Sequence, residues 1–125
     1  MADAAAGKRV LLIDDDESLR ELFQLAMSKR FNVAVAEDGE KGLEKVPACR
    51  PHLIVLDLMM PRLDGFGVIH KLQDMGFKDV PVIVITGYSE KANAGLVSQE
   101  PNVVAFLRKP LKFEDLIAKI DGLLS

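Results

Sequence analysis

Cysteine, positive charge and long apolar runs are scarce in this chain of 125 residues, and each scarcity excludes a class of protein. The single cysteine, Cys49, excludes an intrachain disulfide framework and a zinc site built on cysteines. No apolar run approaches the roughly 18 residues of a membrane-spanning helix, so we expect no membrane partner. Sixteen basic residues stand against 19 acidic ones, and the net charge of −3 does not favour direct nucleic-acid binding.

The composition is that of one ordinary globular domain. Hydrophobic residues make up 49% of the chain and charged residues 28%, which argues against intrinsic disorder. A domain of this size buries roughly two-thirds of its unfolded surface without disulfides or metals. We expect an Ala-rich, frayed segment over residues 1–8 and a single domain over residues 9–125. No signal-peptide core or cleavage site follows the Ala-rich start, so we expect a cytoplasmic protein.

Five short apolar runs predict the strands of a parallel sheet. They are rich in Val, Ile and Leu and lack strict alternation, a pattern typical of strands that are buried on both faces. The runs are residues 10–13, 33–36, 53–56, 82–85 and 103–107.

Segments of helical periodicity separate these runs. Strand and helix alternate five times, which predicts an α/β fold with right-handed crossovers. Asp16 and Glu17 are interpreted as charges in the first turn of the first helix, where the helix dipole favours acidic residues. The apolar stripes are Leu19, Leu22, Phe23 and Ala26, then Phe66, Ile69 and Leu72, then Phe113, Leu116, Ile117, Ile120 and Leu124.

Polar residues follow four of the predicted strands at the point where each ends. Asp14 and Asp15 follow the first strand, Asp57 the third, Thr86 the fourth and Lys109 the fifth. The carboxyl ends of parallel strands meet at one edge of the sheet, so these side chains converge. Clustered carboxylates repel one another, and a hard cation such as Mg²⁺ relieves that repulsion. The pattern therefore predicts a site for a divalent cation and an anionic group.

Four segments resemble the receiver domains of two-component response regulators, over nearly the whole chain from about residue 9 to residue 124. The segments are LLIDDDESLR, LIVLDLMMPRLDGFGVI, PVIVITGYSE and FLRKPL. The resemblance implies a flavodoxin-like (βα)5 fold, a doubly wound five-stranded parallel sheet in the order 2-1-3-4-5. It also implies a phosphorylation-dependent signalling switch, not an enzyme, that takes its phosphoryl group from a histidine kinase or a histidine phosphotransfer protein.

The resemblance assigns the acidic residues to phosphate and metal. Asp57 would be the phosphoacceptor, its carboxylate acting as the nucleophile. Asp15 would bind Mg²⁺ directly and Asp14 mainly through water, and Asp57 and the backbone carbonyl of Met59 would complete the protein ligands. Such a set is sufficient because Mg²⁺ keeps several waters.

The resemblance also assigns the remaining site residues. Lys109 would neutralise charge during in-line transfer, and Thr86 would take up a phosphoryl oxygen once Asp57 is modified. Phe106 occupies the switch position at which the family usually has Tyr or Phe. The Lys109–Pro110 peptide would be cis, which aims the lysine back at the site.

Two other functions remain open from the sequence. Residues 14–18 mimic the nucleophile motif of haloacid-dehalogenase-type phosphatases. Those enzymes need an acidic pair at a strand end after their lysine, whereas only Glu114 and Asp115 follow Lys109, in a predicted helix. A phosphatase would also leave Asp57 unexplained. The second alternative is a pseudo-receiver, an interaction module that ignores phosphate.

The output is the least determined part of the sequence. A helix predicted over residues 90–99, weakened by Gly95, would form the readout face with the fifth strand and the last helix. Residues 99–102, Gln-Glu-Pro-Asn, depart from the Gly-Ala pair that many receivers have there. The kinase and the downstream target stay unnamed, and a phosphorylation-dependent dimer is one option.

Overall fold

The computed structural model describes residues 5–87 and 99–125, in which five strands form one parallel sheet. The strand order is β2-β1-β3-β4-β5, and every neighbouring pair is parallel, which confirms the predicted order and class. Each predicted apolar run is a strand that extends one residue further at one end. The strands are β1 (Arg9–Ile13), β2 (Asn32–Ala36), β3 (Leu53–Asp57), β4 (Val82–Thr86) and β5 (Val103–Arg108).

Helices cover both faces of the sheet. One face packs against α2 (Gly39–Cys49) and α3 (Gly65–Asp74), and the other against α1 (Glu17–Met27) and the C-terminal helix (Phe113–Leu124). Every residue of β3 and β4 is buried, because apolar side chains on alternate faces enter two separate cores. Asp57 and Thr86, the last residues of these two strands, are therefore held in the interior at one edge of the sheet.

Aspartates begin three of these helices. Asp16 accepts a hydrogen bond from Leu19 N at 3.3 Å and caps α1. Asp38 and Asp64 cap α2 and α3 in the same way. A cap of this kind stabilises a helix by about 1 kcal/mol. The interpretation of Asp16 as a helix-terminal residue is thus confirmed.

The buried face of α1 differs from the predicted stripe. Phe23 and Met27, four residues apart, are fully buried, whereas Leu22 is 54% exposed. The prediction that Leu22 lies in the buried stripe is therefore wrong. Adjacent helical residues point about 100° apart, so a helix that buries Phe23 and Met27 turns Leu22 to solvent.

Residues 5–8 belong to the segment for which the sequence predicts fraying, and Ala5 and Gly7 contact the rest of the domain. Ala5 is buried, and Gly7 N donates a 2.8 Å hydrogen bond to Arg30 O. Residues 1–4 and most of the helix predicted over 90–99 lie outside the described residues. No helix in the described part of the chain is long and apolar enough to cross a bilayer.

A polar cluster ties α3 to the turn before β5. Gln73 Nε2 donates to Glu100 Oε2 and to Asn102 Oδ1, each at 3.1 Å, and His70 Nε2 lies 2.7 Å from Glu100 Oε1. Hydrogen bonds from Gln73 and His70 hold the pKa of Glu100 below its usual value. Asn102 is buried, and its carbonyl accepts from Val82 N at 2.8 Å. The unusual residues 99–102 are thus the partner of α3.

Candidate functional site at the carboxyl edge of the sheet

Three carboxylates meet where β1 and β3 end. Asp14, Asp15 and Asp57 each place one oxygen within 4.8 Å of the others. Asp14 and Asp57 are buried, and Asp15 is exposed at the rim. The structure therefore brings together the three acidic residues that the sequence placed at this edge.

Asp14 is held at almost every polar atom. Its N–H donates to Ala36 O at 3.1 Å, and its Oδ1 accepts from Asp16 N at 2.9 Å. Arg20 Nη1 donates to its carbonyl at 2.9 Å. The remaining oxygen, Oδ2, is buried and accepts no hydrogen bond, although Lys109 Nζ lies 3.0 Å away as an ion-pair partner. This buried oxygen thus faces the ammonium group of Lys109 as its cationic partner.

Asp57 is the last residue of β3 and is almost completely buried. Its Oδ1 accepts from Met59 N at 3.2 Å, and its Oδ2 lies 3.4 Å from Lys109 Nζ. Gly65 allows α3 to start against this strand end, because a Cβ there would lie 2.8 Å from Leu58 Cα and 3.1 Å from Asp57 O. Burial, and then the charge of Asp14, raise the pKa of Asp57 to about 7 against the opposing effect of Lys109.

Lys109 reaches the acidic cluster from the end of β5. Its N–H donates to Thr86 O at 2.8 Å, which fixes the lysine beside β4, and the Lys109–Pro110 peptide is cis as predicted. Burial alone would lower the pKa of Lys109, but its contacts with Asp14 and Asp57 outweigh burial and raise that pKa. The lysine is therefore a permanent cation at the site.

Thr86, Phe106 and Met59 lie around this charged centre. Thr86 is buried one residue beyond Ile85, which pairs with Asp57, and its Oγ1 donates to Gly87 O at 3.2 Å. Phe106 is half-buried against the core on the α2 and α3 face. Met59 is 53% exposed beside the site. The roles that the sequence assigns to these three residues stay predictions.

The donor set fits Mg²⁺. Three carboxylates with oxygens within 4.8 Å of one another supply the hard oxygen ligands that this ion prefers. Lys109 offsets only one of the three negative charges, and clustered carboxylates repel one another, so a divalent cation would relieve the charge that remains. The three aspartates form the acidic triad typical of the magnesium site of a receiver.

Sequence reasoning missed two features of this region. Arg20 was not singled out, because nothing in a helical pattern shows that an arginine turns back to a carbonyl six residues earlier. The contact between α3 and the turn before β5 was missed because about 30 residues separate its partners. A search for cations within two turns after the acidic run would have found Arg20.

A five-stranded sheet of this order with an acidic triad and a lysine at its carboxyl edge defines the CheY-like class of receiver folds. The sequence profile of the response regulator receiver domain matches residues 10–121, and the chain belongs to that family of two-component systems.

Curated relatives agree with this assignment. The response regulator MprA of Mycobacterium leprae (strain TN) is 37% identical over 117 residues, which cover 93% of this chain and 50% of that protein. MprA of Mycobacterium ulcerans (strain Agy99) is 35% identical over the same shares. The chain spans about half the length of the curated relatives it matches.

Solved structures show the same fold. An adenylate cyclase from Rhodopirellula baltica matches with a TM-score of 0.84 at 30% identity, over 93% of this chain and 86% of that chain. A CheY-like response regulator receiver domain protein from Methanospirillum hungatei JF-1 matches with a TM-score of 0.84 at 24% identity, over 94% of each chain. The second likeness supports the fold alone.

Proposed function

We propose that residues 9–125 form one receiver domain that works as a phosphorylation-dependent switch, with Asp57 as its phosphoacceptor. One observation carries this proposal: the buried carboxylate of Asp57 ends β3 beside the carboxylate of Asp14, and Lys109 Nζ pairs with both. A receiver domain implies a cognate histidine kinase. The phosphoryl donor would be the phosphohistidine of such a kinase or of a histidine phosphotransfer protein.

The transfer would be a direct displacement at phosphorus. A carboxylate oxygen of Asp57 forms a bond to phosphorus while the P–N bond of the phosphohistidine breaks. The leaving imidazole nitrogen keeps the electron pair and takes up a proton. Asp57 must be ionised to react, and the Lys109 ammonium favours that form.

Asp14, Asp15, Asp57 and the carbonyl of Met59 would hold Mg²⁺. When bound, this ion supplies positive charge that offsets both the clustered carboxylates and the incoming phosphoryl group. The pKa of Asp57, raised to about 7, supports a role for the metal. A nearby cation favours the ionised carboxylate, which is the form that reacts.

Signal output would begin at Thr86 and Phe106. Thr86 would take up a phosphoryl oxygen, and Phe106 would move into the space that Thr86 vacates. These two residues lie on the neighbouring, hydrogen-bonded strands β4 and β5. A movement of the Thr86 side chain would therefore change the space open to Phe106. The readout face would comprise β5, the C-terminal helix and the helix predicted over residues 90–99, which lies outside the described residues apart from its last residue. A target protein or a second phosphorylated copy would bind there.

Labelling by a small acyl phosphate tests the proposal. Mass spectrometry should show one added phosphoryl group on the wild-type protein with Mg²⁺, and much slower addition with a chelator. Asp57→Asn should remove the label, whereas Asp16→Asn should keep it, because asparagine also caps a helix well. A label that persists in Asp57→Asn would overturn the assignment.

The structure weakens the phosphatase alternative. Glu114 and Asp115 lie exposed in the first turn of the C-terminal helix, and not at a strand end. We therefore expect no turnover of a generic phosphatase substrate. A pseudo-receiver is distinguished by the same labelling experiment, because it would take up no phosphoryl group.

A further inference from the structure

Arg20 ties the first helix back to the turn that carries the acidic residues. Its side chain is partly buried, and Nη1 donates to the Asp14 carbonyl at 2.9 Å. Its own backbone N–H donates to Asp16 O at 3.0 Å. The backbone bond is the ordinary first-turn bond of α1, so the guanidinium contributes one specific contact, to the peptide that precedes Asp15.

Asp15 depends on its backbone for its position. It is exposed, and no hydrogen bond or ion pair holds its carboxylate in the described part of the chain. The peptide bond is planar, so a fixed Asp14 carbonyl also fixes the N–H of Asp15. On the other side, Asp16 N donates to Asp14 Oδ1 at 2.9 Å. These contacts hold the peptide on each side of Asp15.

We propose that Arg20 is a positioning residue of the acidic site, which fixes the Asp14–Asp15 peptide and so places the Asp15 carboxylate for Mg²⁺. This inference rests on the proposed function, since it concerns the same metal. Arg20 acts through the backbone and need not touch the ion. It is part of the binding apparatus even though it stands on a helix and carries the same sign of charge as the metal.

Because Arg20 is positively charged, the direction of the change in Mg²⁺ affinity on its removal tests the inference. A cation close to the acidic cluster repels Mg²⁺, so loss of the charge alone would tighten metal binding. Loss of positioning would instead weaken it, because partners that orient metal ligands typically change metal affinity by about 10–100-fold. The two effects act in opposite directions.

Calorimetric titration with Mg²⁺ separates them. Arg20→Ala should raise the dissociation constant about tenfold, and Arg20→Lys should recover part of the loss by donating one hydrogen bond. Lys29→Ala removes the same charge from an exposed site and should leave the dissociation constant unchanged. Labelling of Arg20→Ala by an acyl phosphate should approach the wild-type rate once Mg²⁺ is saturating.

A second measurement addresses a purely structural role. In the metal-free protein, the Asp16 amide should exchange with solvent faster in Arg20→Ala than in the wild type, because the turn is no longer held. Unchanged or tighter Mg²⁺ binding by folded Arg20→Ala would overturn the inference, even if its melting temperature falls. Wild-type protein that binds no Mg²⁺ and takes up no label would overturn the proposed function and this inference together.

Discussion

Lys109 pairs more closely with Asp14 than with the proposed phosphoacceptor. Its Nζ lies 3.0 Å from Asp14 Oδ2 and 3.4 Å from Asp57 Oδ2. Asp14 is fully buried, and Lys109 is its ion-pair partner in the described structure. The lysine thus neutralises the buried charge of Asp14 as well as contacting Asp57. Mutation should separate its contribution to stability from its contribution to phosphoryl transfer.

Lys109→Met should destabilise the metal-free protein by about 1–3 kcal/mol, because it leaves two buried carboxylates without a cation. This loss of stability is smaller than the usual cost of breaking a buried ion pair, because one of the two carboxylates can take up a proton and lose its charge. Mg²⁺ should restore more stability to this variant than to the wild type. Urea denaturation with chelator and with Mg²⁺ measures both effects. Lys112→Met, at an exposed lysine nearby, is the control, and an equal loss there would refute the explanation.

Glu100→Gln should lower stability at neutral pH by no more than about 1 kcal/mol, because Glu100 lies near the surface. The folded-state pKa of Glu100 is lowered, so its contribution is present above the unfolded pKa and lost as the pH falls through the folded value. Wild type and variant should therefore converge in strongly acidic solution. Thermal denaturation across pH tests this, with the exposed Glu44→Gln as the control. A difference that persists in strongly acidic solution, below the folded pKa of Glu100, would contradict the prediction.

The phosphoryl group on Asp57 should persist for minutes to hours. Met59, two residues after Asp57, is exposed beside the site and has no carboxylate or amide to orient an attacking water. Tyr88, two residues after Thr86, is likewise unsuited, although it lies outside the described residues. Decay of the added mass after removal of the donor gives the half-life, and a value of seconds would show the argument to be wrong. Met59→Asn should shorten it, whereas Met75→Asn, at an exposed methionine in the turn after α3, should not.

Residues 88–100 should exchange amide hydrogens faster than α1, and a phosphoryl mimic should change their rates. Gly95 costs a helix about 1 kcal/mol relative to alanine, and Pro101 prevents extension beyond this segment. Tyr88 is the only tyrosine of a chain without tryptophan, so its fluorescence offers a second measurement. Thr86→Ala should abolish the response and Thr86→Ser should keep it. Slow exchange that the mimic leaves unaltered would place the readout face elsewhere.

The sequence predicted the sheet and the acidic site well because both depend on local patterns. Apolar runs mark buried strands, and the residues that follow each run must lie at the carboxyl edge of the sheet. The sequence alone therefore predicts that Asp14, Asp57 and Lys109 lie close together. The exposure of Leu22 was harder to predict, because apolar periodicity does not show which residues at the edge of the stripe face the core and which face solvent. The contacts of Glu100 were out of reach because they depend on how α3 packs against the turn before β5, whereas the partner of Arg20 is only six residues away and a local search would have found it.

The segment between β4 and β5 has both of its ends fixed by residues outside it. At one end the carbonyl of Thr86 accepts from Lys109 N, and at the other Glu100 and Asn102 accept from Gln73 on α3. None of these bonds uses a side chain from residues 87–99. The two described ends of this segment are therefore held independently, one by Lys109 at the end of β5 and the other by α3, so we expect a change at Gln73 to loosen the approach to β5 while the bond between Lys109 and Thr86 persists.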